Sequence, residues 1–82
     1  MTGPARLRQL TVYSRHSCHL CEIMIDAVRA ATGGEAVLEI VDVDSSADLA
    51  ARYGSKVPVL LVDGREICHF RLDNEALRRA LA

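Results

Sequence analysis

The chain has 82 residues, a formal net charge of −1 and a sequence isoelectric point of about 6.3. Half of the residues are hydrophobic and 26% are charged, which is usual for a soluble globular domain. Of the ten Lys and Arg residues only Lys56 is a lysine, and the arginines are scattered, so the chain lacks the basic cluster that nucleic-acid binding needs. No apolar run approaches the ~18 residues of a membrane span. We therefore expect one domain over residues 1–82, with neither nucleic acid nor a membrane among its partners.

The cysteine count indicates the compartment. Three cysteines are an odd number, and too few for a disulfide-stapled secreted scaffold. The N-terminal residues lack the apolar segment of a signal peptide. We therefore expect a cytoplasmic protein in a reducing environment, where a Cys-x-x-Cys pair is more often redox-active or metal-binding than structural.

The first half of the chain predicts a strand followed by a long helix. Residues 1–6 are expected to form a flexible tail, and residues 7–13 a strand rich in β-branched and aromatic bulk. Ser17 is the candidate N-cap of a helix over residues 18–32, which Gly33 and Gly34 end. Apolar residues spaced three and four apart predict one buried stripe on this helix: Cys21, Met24 or Ile25, Val28 and Ala31.

The second half of the chain predicts three more strands and two short helices. Alternating apolar and acidic residues predict a strand over residues 37–43, and Ser45 with Ser46 precedes a helix over residues 47–53 with Leu49 and Tyr53 as its core pair. The apolar run at residues 59–62 predicts a buried strand. Asp63-Gly64 is a two-residue hairpin signal that returns the chain as a strand over residues 65–70. Asp73 or Asn74 caps a last helix through residue 81, with Leu77 and Leu81 facing inward.

The resulting element order is β-α-β-α-β-β-α, an α/β arrangement. Strand–helix–strand units imply parallel pairing of their strands, and the hairpin adds an antiparallel edge.

Cys18 and Cys21 are the residues most clearly suited to chemistry. Two cysteines three apart can close a small disulfide ring and open it again. If the helix begins here, unpaired backbone N–H groups and the positive end of the helix dipole favour a thiolate at Cys18. Arg15, His16 and His19 would add positive charge, which lowers a thiol pKa and makes the pair a better oxidant.

The Cys-x-x-Cys pair, Val57-Pro58 before an apolar strand, and the Asp63-Gly64 hairpin together resemble the thioredoxin fold, and most closely its glutaredoxin-like group. The resemblance covers residues 7–81. It implies a mixed four-stranded sheet with three helices and a thiol–disulfide oxidoreductase activity. It also implies that Cys18 is the solvent-facing nucleophile and Cys21 the buried resolving cysteine. Pro58 then matches a cis-proline beside the cysteines, which leaves the backbone of Val57 free to pair with an extended substrate.

The chain departs from well-known members of that group after the last strand. Glutaredoxins carry a Gly-Gly step and an acidic pair there, whereas this chain has Cys68-His69-Phe70-Arg71-Leu72-Asp73. This departure puts glutathione in doubt as substrate or reductant. His19-Leu20 between the cysteines and Val12 on the first strand also differ from common relatives. The chain is therefore most similar to a small glutaredoxin-like subgroup that lacks the usual glycines.

Five residues are predicted to contact the substrate, which we expect to be a protein or low-molecular-weight disulfide: His16, His19, Lys56, Val57 and Pro58. Lys56 could hold an anionic group such as a peptide carboxylate, or be an ordinary surface lysine. The two histidines could equally be solvated side chains. We expect a monomer without a cofactor.

Other functions remain open at this point. Cys68 and His69 could complete a zinc site with Cys18 and Cys21, although their spacing is unlike a compact finger, and we predict no metal. Cys18 could bridge an iron–sulfur cluster between two chains. A thioredoxin fold could also serve as a non-catalytic binding module. Cys68 is predicted to be a packed thiol, because only one of Cys68 and His69 can face the core.

Overall fold

Strands and helices follow one another in the order that the sequence predicts, with one added 3₁₀ turn. This computed structural model describes residues 8–33 and 36–82. The predicted tail at residues 1–6, the predicted strand start at Leu7 and the helix stop at Gly34 lie outside the described residues. The elements in order are β1 (Arg8–Ser14), α1 (His19–Thr32), β2 (Ala36–Asp42), the 3₁₀ turn (Val43–Ser45), α2 (Ala47–Tyr53), β3 (Val59–Val62), β4 (Arg65–His69) and α3 (Asn74–Leu81).

The four strands form one mixed sheet in the order β2-β1-β3-β4. β1 and β2 are parallel, with Arg8 opposite Ala36 and Ser14 opposite Asp42. The 14 residues of α1 make this possible. At about 1.5 Å per helical residue they span roughly 21 Å, close to the roughly 23 Å of a seven-residue strand, so α1 returns the chain to the end where β1 began.

The second strand–helix–strand unit corrects a prediction, because β3 runs antiparallel to β1. α2 has only seven residues and spans roughly 10 Å, which is too short to carry the chain back along the sheet. β3 therefore begins at the end where β1 and β2 finish, with Tyr13 opposite Val59. This places the segment after β1 and the segment before β3 at the same end of the sheet.

The main core lies between one face of the sheet and the helices α1 and α3. Strand alternation sends every second residue of β1 and β3 to this face, and the apolar stripes of the two helices cover it. Each such side chain contributes roughly 1.5–3 kcal/mol by leaving water. The fully buried members are Leu10, Val12, Met24, Val28, Leu60, Val62 and Leu77. Ala31, predicted to belong to the α1 stripe, is exposed and lies outside the core.

The opposite face of the sheet packs against α2. Tyr13 stacks on Tyr53, with ring centroids 4.5 Å apart and an interplanar angle of 17°. Leu49 and Tyr53 are only half-buried, however, and α2 has no fully buried residue. The predicted core pair, Leu49 and Tyr53, is therefore only partly buried, and Tyr53 contributes through its contact with Tyr13.

Turns and caps follow the local sequence. Gly33 ends α1 in the left-handed conformation, with φ 58°, and its N–H donates to the carbonyl of Arg29. Asp63 and Gly64 both have positive φ, 50° and 86°, as a type I′ hairpin requires. Ser46 caps α2 and Asp73 caps α3, as predicted. No helix within the described residues is long and apolar enough to cross a membrane.

Candidate active site

Cys18 and Cys21 are joined by a disulfide at the start of α1, with their Cα atoms 5.2 Å apart. This confirms that the pair can close the small ring that its spacing suggests. Cys18 is half-buried, whereas Cys21 is 2% exposed and packs among the core residues of α1. The two sulfurs therefore differ in accessibility, and Cys18 is the one that an incoming molecule can reach.

The helix cap is Cys18 and not Ser17, which corrects the prediction by one residue. Cys18 has the extended backbone of an N-cap (φ −112°, ψ 107°), and its Sγ accepts a hydrogen bond from the backbone N–H of Cys21 at 3.1 Å. Ser17 is left-handed, with φ 57°, and so cannot hold the cap position. The donor that faces the sulfur of Cys18 is suited to stabilise negative charge on it when the ring is open.

Val57 and Pro58 lie at the same end of the sheet as the cysteines, because β3 begins where β1 finishes. The Val57–Pro58 peptide bond is cis. Pro58 is buried and Val57 half-buried, directly before β3. The carbonyl of Pro58 accepts a hydrogen bond from the N–H of Phe70 at 2.8 Å, which fixes the segment after β4 beside it.

His16 and His19 are exposed beside the cysteines. His19 Nδ1 lies 3.9 Å from Glu22 Oε1, one turn further along α1. Their roles in substrate contact stay predictions.

Arg15 bonds the 3₁₀ turn and the end of α2, and the expected effect of its charge on Cys18 stays a prediction. Its Nε and Nη2 donate to the two oxygens of Asp44 at 2.9 and 3.2 Å, and its Nη1 donates to the carbonyl of Gly54 at 3.0 Å. The hydrogen bond and charge of Arg15 lower the pKa of Asp44, and Asp44 in turn raises the pKa of Arg15. These hydrogen bonds tie the loop before Cys18 to the 3₁₀ turn and to the end of α2.

Lys56 also has an internal partner. Its Nζ donates to both carboxylate oxygens of Glu66, at 3.0 and 3.2 Å, and lies 5.9 Å from the ring centroid of Tyr53. A substrate carboxylate would compete with Glu66 for this ammonium group. Its predicted role in substrate binding stays a prediction.

A groove of about 280 Å³ at the cysteine end of α1 was not predicted from the sequence. Its lining includes Leu20 and Ile23 of α1 with Phe70 and Leu72 of the segment after β4. The sequence did carry a sign of it, since Leu20 and Ile23 are large apolar residues that lie off the predicted buried stripe. Phe70 has φ 66°, a left-handed conformation that costs about 1–2 kcal/mol for a residue with a side chain.

A larger open depression, of about 570 Å³, lies elsewhere, between Ala31 and the side of α3 that carries Leu77 and Leu81. Along α1 this is roughly 20 Å from Cys18, so the depression is not part of the site.

Cys68 is separate from the cysteine pair. It is half-buried against the main core, opposite Leu60, and burial raises the pKa of its thiol. His69 is exposed and packs edge-on against Phe70, with ring centroids 4.8 Å apart. Across residues 8–33 and 36–82, no three His, Cys, Asp or Glu side chains are grouped so as to hold a metal ion.

Comparison with known proteins gives matches along nearly the whole chain. The profile of the glutaredoxin-like domain family (DUF836) matches residues 9–82. Protein Ne2328 from Nitrosomonas europaea is 34% identical over 100% of both chains, with a TM-score of 0.87. Protein XcR50 from X. campestris is 36% identical over 88% of this chain and 93% of its own, with a TM-score of 0.69. No curated protein gives a significant match.

A mutant thioredoxin from Halobacterium salinarum shares the architecture at greater distance. It is 26% identical over 88% of this chain and 69% of its own, with a TM-score of 0.58. The α/β sheet with three helices is thus the thioredoxin fold, with the Cys18–Cys21 disulfide at the start of its first helix. Since the family profile covers all but the first eight residues, this chain belongs to the glutaredoxin-like domain family (DUF836).

Proposed function

We propose that this protein is a thiol–disulfide oxidoreductase that works through Cys18 and Cys21. The observation that carries the proposal is the disulfide between a half-buried Cys18 and a buried Cys21 at the start of α1. A pair of this kind supplies an accessible nucleophile and a resolving thiol held beside it.

The reaction consists of two exchanges. In the first, the Cys18 thiolate attacks one sulfur of a substrate disulfide; a Cys18–substrate bond forms, the substrate S–S bond breaks, and one substrate thiolate leaves. In the second, the Cys21 thiolate attacks the Cys18 sulfur, closes the Cys18–Cys21 disulfide and releases the second substrate thiolate. Two electrons pass from the protein to the substrate, and the released thiolates take protons from water. Proximity favours the second exchange, because Cys21 is already held beside Cys18.

The surroundings of the pair support this chemistry. The N–H of Cys21 already donates to the sulfur of Cys18, and the same donor would stabilise the thiolate in the reduced protein. Val57 precedes the cis bond to Pro58 at the same end of the sheet, where its backbone could pair with an extended substrate. His16, His19 and Lys56 are the side chains we propose to meet the substrate around Cys18.

We propose a protein or low-molecular-weight disulfide as the substrate and a monomer in a reducing, cytoplasmic setting as the working form. The absence of Gly-Gly after β4, where the chain instead has Phe70 in a left-handed conformation, supports a substrate other than glutathione.

A redox titration of the cysteine pair tests the proposal. The protein is equilibrated in defined dithiol buffers, its free thiols are alkylated, and the mass shift counts them. We expect a reversible two-electron transition between roughly −270 and −180 mV, the range of working oxidoreductases. A pair that stays oxidised below about −300 mV, or never forms the disulfide, would contradict the proposal. Metal analysis of the same sample tests the metal and iron–sulfur alternatives.

Variants of the three cysteines separate their roles. Cys18→Ser is expected to abolish reduction of a small disulfide, whereas Cys21→Ser is expected to accumulate a mixed disulfide with the substrate on Cys18. Cys68→Ser is the control, and we expect it to keep the activity because Cys68 packs against the core away from the pair. Survival of activity in Cys18→Ser would rule out the mechanism.

A further inference from the structure

The groove at the cysteine end of α1 exposes large apolar side chains. Leu20 is 38% exposed, Ile23 51% and Phe70 47%. Leu20 lies between Cys18 and Cys21 in sequence, and the backbone of Phe70 is bonded to Pro58 at the end of the sheet where the cysteines lie, so the groove adjoins the cysteine end of α1. A molecule whose sulfur reaches Cys18 would place its neighbouring groups over this surface, and burying apolar groups there would remove both partners from water.

The lining of the groove has a single charged side chain. Arg71 lines it, and none of its other lining residues is charged. No carboxylate within residues 8–33 and 36–82 forms an ion pair with the Arg71 guanidinium, unlike Lys56, which is paired with Glu66. The groove therefore offers a cation with no carboxylate partner among the described residues, at the edge of an apolar surface, and this complements a negatively charged group that lies close to an apolar one.

Phe70 is held in place by its backbone and not by burial of its ring. Its N–H donates to the carbonyl of Pro58 at 2.8 Å, its φ is 66°, and its ring packs edge-on against His69. The ring is thus displayed at the groove in a fixed position, although half of it remains in water. A partner that covers this ring would gain apolar contact without having to order the segment first.

We propose that this groove, formed by Leu20, Ile23, Phe70, Arg71 and Leu72, selects peptide disulfides that carry a large apolar side chain next to the cysteine and a carboxylate beyond it. The apolar side chain packs between α1 and Phe70, and the carboxylate pairs with Arg71. This inference rests on the proposed exchange chemistry at Cys18, and it specifies the class of disulfide on which that chemistry acts.

The exchange that the groove selects follows the two steps given above. The peptide sulfur nearest the groove bonds to Cys18 while the other peptide leaves as a thiolate. Cys21 then displaces the bound peptide and closes the protein disulfide. One reduced protein molecule thus converts one peptide disulfide into two peptide thiols, and no further reductant is needed in a single turnover.

The test compares symmetrical disulfides of matched short peptides in single-turnover reactions with the pre-reduced full chain. The reference peptide has leucine on both sides of its cysteine and a glutamate beyond. One matched peptide has serine in place of the leucines, and another has glutamine in place of the glutamate. Hydroxyethyl disulfide, which has no side chains, and glutathione disulfide complete the set. The readout is the rate of thiol release, measured by chromatography after acid quenching.

We expect the leucine peptide to react about tenfold faster than the serine peptide, since most of a leucine side chain leaves water. We expect the glutamate peptide to react about threefold faster than the glutamine peptide at low salt and equally fast at high salt, as an exposed ion pair predicts. Ile23→Ser and Phe70→Ser should bring the leucine-to-serine ratio toward one, and Arg71→Gln should remove the glutamate preference.

Ile40→Ser is the matched control, because Ile40 is 42% exposed but lies on β2 away from the groove. It should keep both ratios and the basal rate. Ile23 and Phe70 lie on different elements, so the test stands if one variant fails to fold. Equal rates for the leucine and serine peptides, faster reaction of glutathione disulfide, or an unchanged ratio in Ile23→Ser would overturn the inference. If hydroxyethyl disulfide is reduced without peptide selectivity, only the inference fails. If no disulfide is reduced, the proposed function fails and the inference with it.

Discussion

Arg15 joins the loop before the cysteines to the 3₁₀ turn and to the end of α2. Its guanidinium bonds Asp44 in the 3₁₀ turn and the carbonyl of Gly54 after α2. Gly54 leaves room for this, since a Cβ atom there would lie 2.9 Å from Arg15 Nη2 and 2.5 Å from the carbonyl oxygen of Ala50. The position of the loop that precedes Cys18 thus depends on three separated parts of the chain.

This ion pair predicts a specific acid dependence of stability. Arg15 lowers the pKa of Asp44, so the unfolded chain binds a proton at this carboxyl at higher pH than the folded chain does. The stabilisation is therefore fully present above the ordinary carboxyl pKa of 3.8 and is lost as the pH falls through the lower pKa of the folded state. Urea midpoints of the original chain and of Asp44→Asn should differ at neutral pH and converge in strong acid.

Asp48→Asn is the matched control, since Asp48 is an exposed aspartate with a looser partner, Arg52 at 3.7 Å. Its pH curve should run parallel to that of the original chain. About 1 M salt should shrink the Asp44 effect, because exposed charges are then screened within about 3 Å. An Asp44→Asn difference that persists at low pH would show that the side chain acts through packing and not through its charge.

At the residue level the sequence predicted the identity of the cysteine pair but not its immediate geometry. The ring closure of Cys18 and Cys21 follows from their spacing. The N-cap is Cys18 and not the predicted Ser17, because Ser17 has a left-handed backbone, and no local sequence pattern predicts that conformation. The position of Phe70 depends on a hydrogen bond from its N–H to the carbonyl of Pro58. These two segments are brought together by the pairing of β3 and β4, which local sequence does not reveal.

Among the elements, α2 decides the topology through its length. Seven residues cannot span the sheet, and the chain therefore enters β3 at the end where the cysteines lie. Local patterns predicted the existence and type of every strand and α-helix and the Asp63-Gly64 turn, but not the 3₁₀ turn, because periodicity and positive φ are properties of short stretches. The direction of β3 could not be inferred in that way, since it depends on comparing helix length with strand length across the fold.

The cap of α2 gives a prediction at this scale. Ser46 Oγ accepts a hydrogen bond from the N–H of Leu49 at 3.1 Å. Ser46→Ala is expected to lower the free energy of unfolding by about 1 kcal/mol, because a helix N–H loses its acceptor. Ser46→Asp keeps an acceptor and should remain close to the original chain. Thermal unfolding should show the alanine variant about 4–8 °C lower; equal midpoints for the two variants would mean that the cap contributes nothing.

In the molecule as a whole, the core between the sheet and the helices α1 and α3 carries most of the stability. A domain of this size has a free energy of unfolding of roughly 4–12 kcal/mol. Leu60 is fully buried in the centre of the sheet. Leu60→Ala is expected to cost about 2–5 kcal/mol, because it removes packed methyl groups and leaves a cavity.

Urea unfolding measures this loss directly. Val37→Ala is the control, since Val37 is 44% exposed on the edge strand β2, and its effect should stay within about 0.5 kcal/mol. If both variants lose the same stability, the core assigned here between β3 and the helices α1 and α3 is wrong.

The central place of β1 has a consequence for how the protein is made. β1 lies between β2 and β3, so the sheet that supports the cysteines is incomplete until β3 has been synthesised, ~40 residues after Cys21. At about 5–20 residues per second a ribosome needs roughly 2–8 s for that stretch. During this interval both cysteines belong to a nascent chain whose fold cannot yet protect them. Until β3 joins the sheet, the Cys18–Cys21 pair is therefore open to exchange with any thiol or disulfide that meets the nascent chain.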